Sequence, residues 1–314
     1  MALRKKDTVL GRKFVGLSPA SRLGCIRIII VLAALMNILW ENFPSFAEVP
    51  FSWYRPHGFM MFIPRSIIEF LVSSEINLAI YKSALIFFLI CALVGFKTRF
   101  SLFVATILYF VSIGTVRAYA WFFHTGLTAL FLMFFMVWLP VGDALSVDAM
   151  MRQKKTGIKN DRPDENYAWC IFLIRAVLAF VYFQAGYAKL HNSGLSWIQP
   201  LNLKHHVVED GLTAMHFNFN FGIAAMSLPD IFWTVLAISA IASEFFYPVV
   251  LISWRLRMAV PAIGIFLHTS ILFMQNIFFP DLIILQMIFY DWDRIFGKSS
   301  AFDRRKRGLF PGRG

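Results

Sequence analysis

Eight stretches of this sequence are almost unbrokenly apolar, and each is close to the length of a helix that crosses a bilayer. They cover residues 28–43, 76–96, 100–116, 122–140, 169–188, 231–254, 258–275 and 277–292. The hydrocarbon core of a membrane is about 30 Å thick and takes roughly 20 helical residues. The runs do not alternate apolar with polar residues as the strands of a membrane barrel do, so they call for helices. Composition agrees: 58% of the 314 residues are hydrophobic and 15% are charged, against roughly 25% charged in a soluble domain. A soluble exterior needs more charge, and a disordered chain has far less apolar content. The expected fold class is all-α, a polytopic transmembrane bundle of about eight helices. Its second and last runs carry Lys82 and Asp281 inside their outer ends.

The formal net charge is +12, but its placement speaks for a membrane rather than for nucleic acid. Of the 30 Lys and Arg, 23 flank the runs on the side of the N-terminus. Six lie on the other side (Arg55, Arg65, Lys82, Arg117, Lys189 and Lys204), and Arg175 lies inside a run. Basic residues stay cytoplasmic, so the asymmetry predicts cytoplasmic N- and C-termini. No aromatic-interleaved basic groove accompanies the charge; the expected partner is the lipid bilayer, not nucleic acid. The first run ends in Trp40, Glu41 and Asn42 without a small-residue cleavage site, which predicts a retained span rather than a signal peptide. The chain then divides into a basic cytoplasmic N-terminus (1–27), one membrane domain (28–296) and a basic, disordered cytoplasmic tail (297–314). Two extracytoplasmic segments are long, 44–75 and 189–230. The first carries apolar residues around Pro64, Arg65 and Glu69 and is expected to lie in the interface as an amphipathic piece. Cys25, Cys91 and Cys170 make no CxxC and no metal-ligand spacing, and read as buried and reduced.

All seven histidines fall on the extracytoplasmic side or in the outer half of a run. His57, His191 and His216 read as solvated loop residues. His205 and His206 are adjacent, so their side chains diverge, and no i,i+4 partner completes a ligand pair; no metal is expected. His124 opens the fourth run, in Trp121-Phe-Phe-His-Thr-Gly126, and His268 sits in the outer half of the seventh. At similar depth the fifth run ends as Tyr182-Phe-Gln-Ala-Gly-Tyr-Ala-Lys-Leu190. Lys189 there either snorkels to the headgroups or is a partly desolvated amine usable as a base. Glu244, midway along the sixth run, and Arg175, in the inner third of the fifth, stand at similar depth. Intramembrane charges are costly, so the two are expected to form a buried structural ion pair; the alternative for Glu244 is a proton relay.

In this order the segments resemble the HTTM domain, the membrane part of vitamin K-dependent γ-glutamyl carboxylase and its bacterial relatives. The Tyr182–Leu190 segment with Trp197 following is similar to the family's Y-F-x-A-G-x-x-K-L…W. Trp121-Phe-Phe-His124, followed by an apolar run and by Ser146-Val-Asp148, resembles the segment that bears the family's supporting histidine. His268 with Asp291-Trp-Asp293 is similar to the domain's last helices. The resemblance covers most of residues 23–296.

The resemblance implies a site at the extracytoplasmic end of the bundle. Lys189 would be the catalytic base and His124 its hydrogen-bonding partner. His268, Tyr182, Trp121 and Trp197 would line a pocket for a reduced quinone (vitamin K hydroquinone or menaquinol) or a peptide. The chemistry would be quinol-coupled, of the carboxylase (lyase) kind, in a bacterial plasma (inner) membrane. Two departures stand out. Ala188-Lys189 keeps only the second lysine of the vertebrate pair, and the carboxylase's large lumenal region has no counterpart within 1–314. Short bacterial members also resemble the membrane subunit that helps mature a toxin-like secreted peptide. Non-catalytic maturation or handling of a small peptide is therefore the alternative function.

Overall fold

Three of the eight apolar runs, 122–140, 231–254 and 277–292, hold no helix of membrane length among the described residues. In the computed structural model, which describes residues 16–119, 126–158, 162–212 and 217–292, no strand occurs among the described residues. The helices of the first half are α1 (Ala20–Trp40), α2 (Arg65–Val72), α3 (Glu75–Val94), α4 (Thr98–Tyr119), α5 (Leu127–Met136) and α6 (Val147–Thr156). Those of the second are α7 (Glu165–Ser193), α8 (Pro200–Leu212), α9 (Phe221–Ala224), α10 (Asp230–Phe245), α11 (Trp254–Gln275) and α12 (Pro280–Leu285). Five of them, α1, α3, α4, α7 and α11, are long and apolar enough to cross a membrane. The expected count of about eight such helices is not reached among the described residues. The ten residues of α5 follow Gly126 in the left-handed conformation. Next to Pro248, α10 gives way after sixteen residues to the 3-10 turn Tyr247–Leu251. Between α11 and α12 the chain breaks at Asn276, again left-handed, and restarts at Pro280. A proline lacks the N–H that a helix interior needs, and a left-handed residue closes a helix end.

α1 is the central post. Buried residues make up 61% of its spanning window, against 22% in α3 and α11. It packs on α3, α5, α7 and α12, with Ala33 and Ala34 fully buried, the small residues that let membrane helices approach closely. The distribution of side chains is inverted relative to a soluble protein. Ile80, Phe87, Phe131, Phe180 and Phe266 are exposed, whereas Arg27, Asn37, Asp281 and Gln286 are buried. An apolar exterior of this extent suits lipid and not water.

Buried charge at the end where α1 begins ties helix ends together. Fully buried Arg27 donates to the carbonyls of Val141 (2.9 Å) and Leu145 (2.5 Å) and reaches that of Leu93 (3.4 Å) near the end of α3. Ser146 caps α6 through the amide of Ala149. Asp148, two residues on, accepts from the amides of Lys97 (2.9 Å) and Thr98 (2.7 Å) and from the Thr98 hydroxyl (2.7 Å), at the start of α4. Burial alone would raise the Asp148 carboxyl, but these donors and Arg152 outweigh it and hold it below the usual carboxylate value.

At the other end the 44–75 segment is apolar on two sides. Tyr54, Met60, Ile68 and Val72 bury against the bundle together with Phe43 just before the segment, and Met60 fills the notch left by Gly114, where a Cβ would meet its sulfur at 2.3 Å. Phe59, Phe62, Ile67 and Phe70 face outward, exposed.

Candidate functional site

Glycine sets the frame of the site. Where α7 crosses the end of α10, a Cβ on Gly186 would lie 2.6 Å from the Phe245 backbone nitrogen. Alanine would favour the helix by up to about 1 kcal/mol, but overpacking a close contact costs about 1–3 kcal/mol, so the glycine stays. The crossing zips two helix faces. Tyr182, Gly186 and Lys189 recur at helical spacing on α7 and meet Tyr247, Phe245 and Glu244 in turn. Lys189 Nζ donates to Glu244 Oε2 and stands 5.4 Å from the centre of the Trp197 ring, a cation–π contact. The Lys189 side chain keeps 25% of its surface accessible, Glu244 only 10%. Two turns back along α7, the Tyr182 and Tyr247 rings stack at 4.2 Å between centres.

Below the lysine lies a buried hydrogen-bonded chain. Tyr247 donates its hydroxyl proton to Gln286 Oε1. Gln286 Nε2 donates to Tyr182 Oη at 2.6 Å and to the Leu282 carbonyl at 3.1 Å. Tyr182 Oη lies 2.7 Å from His268 Nε2. His268 Nδ1 is buried and has no partner among the described residues. The Phe279 ring stands edge-on to the imidazole, 5.6 Å between centres. Gly264, one turn before His268, leaves the space: a Cβ there would lie 2.9 Å from the Gln286 amide.

Of the residues singled out in the sequence, the structure brings together Lys189, Trp197, Glu244, Tyr182 and His268. Trp121 and His124 lie outside the described residues. The expected pair of Glu244 with Arg175 is corrected: Glu244 holds Lys189, while Arg175 binds Asp291 at 3.1 Å and donates to the Ile288 carbonyl at 3.0 Å. The reason is the placement of α10. Its first turns stand beside α8, with Trp233 and Ala237 packed on Leu203 and Val207. Glu244 therefore reaches the level of Lys189, fourteen residues or about 20 Å along α7 from Arg175.

Sequence reading missed Tyr247, Gln286 and the role of Asp281. Each is a polar residue inside an apolar run, the signal that flagged Lys189 and Glu244. Asp281, 1% exposed, accepts from the Gly126 amide at 3.0 Å and so ties the starts of α5 and α12. The expectation that no i,i+4 partner stands beside the adjacent histidines is corrected: His205 faces Glu209, one turn on, at 3.6 Å on the exposed side of α8. Among the described residues no three His, Cys, Asp or Glu side chains converge as metal ligands would. The chain finds no match among family models, curated proteins or solved structures.

Proposed function

We propose that this chain is a multi-pass protein of a bacterial plasma membrane, HTTM-like, with eight membrane-associated helices and cytoplasmic termini. In this reading Lys189 serves as the base of quinol-coupled chemistry on a peptide or small substrate at the extracytoplasmic face. The observation that carries the reading is the Lys189–Glu244 contact beneath Trp197: an amine inside a helix crossing, open to the outside, with a carboxylate in place to receive its proton. Glu244 then does for Lys189 what the resemblance assigns to a histidine, since a base that hands its proton on is ready for the next one. The Trp197 ring covers one side of the amine, which stays partly open to solvent, and the Glu244 carboxylate lies on its shielded side.

The residues present fit a quinone headgroup on one observation, the partnerless buried nitrogen of His268 next to stacked aromatic rings. His268, Tyr182 and Trp197 would hold the group. A reduced quinone such as vitamin K hydroquinone or menaquinol supplies reducing electrons and an acidic hydroxyl when bound. A second reading, handling of a small secreted peptide without quinone chemistry, draws on the exposed Leu195 and Leu201, which flank Trp197 in the chain.

The two separate on substitution. In nanodiscs supplied with menaquinol, dioxygen as the oxidant, carbon dioxide and a glutamate-containing peptide, quinol consumption is followed by absorbance. Lys189→Ala and Lys189→Arg are both expected to abolish it, Lys189→Arg because a guanidinium stays protonated. Lys189→Arg, which keeps a cation beside Glu244, is the variant expected to do so without loss of thermal stability, whereas Lys189→Ala also leaves the Glu244 carboxylate unpaired. Glu244→Gln, which cannot take the proton, is expected to slow it on the order of 10²–10⁴-fold. Full activity in Lys189→Arg would reduce Lys189 to an interfacial cation and leave the peptide-handling reading.

A further inference from the structure

The buried chain beneath Lys189 decides which nitrogen of His268 carries the proton. The Gln286 amide cannot be turned over: its nitrogen faces the Leu282 carbonyl at 3.1 Å, where an oxygen would meet an oxygen. Gln286 Nε2 is therefore the donor to Tyr182 Oη, 2.6 Å away. Tyr182 accepts that bond and has one proton of its own to give. His268 Nε2, at 2.7 Å, is the acceptor it meets. The opposite assignment, with Nε2 donating, would leave the Tyr182 hydroxyl proton buried without an acceptor, a loss of about 1–3 kcal/mol. The proton of the neutral ring then sits on Nδ1, the atom that has no partner among the described residues.

We infer that His268 is a fixed hydrogen-bond donor whose Nδ1–H holds a carbonyl oxygen of a flat ring ligand, with Tyr182 and Gln286 as the positioning residues that set its tautomer. Buried donors in native proteins are matched, and an N–H whose ring is clamped on its other nitrogen can be matched only by an acceptor oxygen. The clamp also bars His268 from acting as a base: Nε2 is occupied by Tyr182, and Nδ1 already bears a proton. The rings of Tyr182 and Phe279 stand edge-on to the imidazole, 5.7 and 5.6 Å between centres, so its immediate surroundings are aromatic and a flat aromatic ligand would match them. For the identity of the ligand alone, this rests on the quinone reading above.

Nitrogen-15 histidine NMR of the full chain in nanodiscs, with 2-methyl-1,4-naphthoquinone as the probe, tests it. One neutral histidine protonated on Nδ1 is expected, absent in His268→Phe, and unchanged from pH 6 to 8. The probe is expected to move that N–H proton downfield. Tyr182→Phe is expected to release the ring to the Nε2-protonated tautomer and to weaken probe binding at least tenfold. Tyr247→Phe, which leaves the Leu282 clamp on Gln286 intact, is expected to keep the tautomer and so serves as the folded control. An Nε2-protonated His268 in the wild-type chain, or a probe that leaves its signal unmoved, overturns the inference. Lys189→Arg is expected to bind the probe like wild type, so a catalytic role for Lys189 can fail while the His268 donor stands.

Discussion

Arg175 and Glu244 each found a partner, but not each other, and the difference shows what residue-scale reading can reach. The apolar runs give depth along a helix, one residue at a time, and both residues read as interior charges that had to be matched. They do not give rotation about the axis, nor the outward shift of α10 against α8. Pairing follows from those two. The resulting pair, Lys189–Glu244, is expected to behave as a unit. Glu244→Ala leaves a lone amine in an apolar crossing, so its cost in thermal unfolding should approach the roughly 3–5 kcal/mol of a broken buried pair, reduced because Lys189 is partly solvated. Adding Lys189→Ala should recover part of that loss, whereas Glu244→Ala combined with Arg175→Ala should be additive. Additivity in the first pair would mean that the contact contributes no coupling. Tyr247 and Gln286 were visible as polar letters in apolar runs, yet only the packing of α7, α11 and α12 shows that they form one chain with Tyr182 and His268.

Between elements, buried and half-buried charges also satisfy helix ends. Lys82 donates to the Glu41 carbonyl at the end of α1, at 2.6 Å, Arg27 binds carbonyls beyond α5 and near the end of α3, and Asp281 accepts from the amide before α5. Each sign matches the partial charge of the helix end it touches, negative at carbonyls and positive at amides. Lys82 and Asp281, the two charges that weakened their runs as sequence, are thus explained by ends that only three dimensions bring to them. The Ser146-Val-Asp148 segment is the case with a pH signature. Its carboxylate is held below the usual value, so the stability it adds is complete above the unfolded value of about 3.9 and is lost as pH falls through the lower folded value. Asp148→Asn should cost about 1 kcal/mol at neutral pH, as the loss of a helix cap does. It should also flatten the fall in melting temperature on acidification below about pH 4. An unchanged acid limb in the variant would assign that limb to other carboxylates.

For the molecule as a whole, hydropathy made the helical membrane class legible, because a lipid-facing exterior must be apolar wherever it stands. The same logic hid the break at Phe246, inside the 231–254 run, although the boundary at Asn276 was legible: a run of apolar letters looks continuous whether or not the helix inside it is. What sequence offers on orientation is charge, 23 Lys and Arg on one side against six on the other, and moving a cation through the hydrocarbon core is costly enough to make that bias directive. The structure fixes which loops share an end. The 44–75 segment joins the end of α1 to the start of α3, and the 194–229 segment follows the end of α7, where Lys189 sits. If the charge bias sets direction, both segments face outward together, and the site opens away from the cytoplasm. Single cysteines at Ser52 and Ser193, both exposed, should then react with an impermeant thiol reagent on intact cells, and a cysteine at Ser300 should react only after the membrane is opened. The native Cys25, Cys91 and Cys170 are replaced by serine in the background chain to keep the readout clean. Labelling at Ser300 with silence at Ser52 and Ser193 would turn the molecule over and put Lys189 on the cytoplasmic face, where an extracytoplasmic substrate could not meet it.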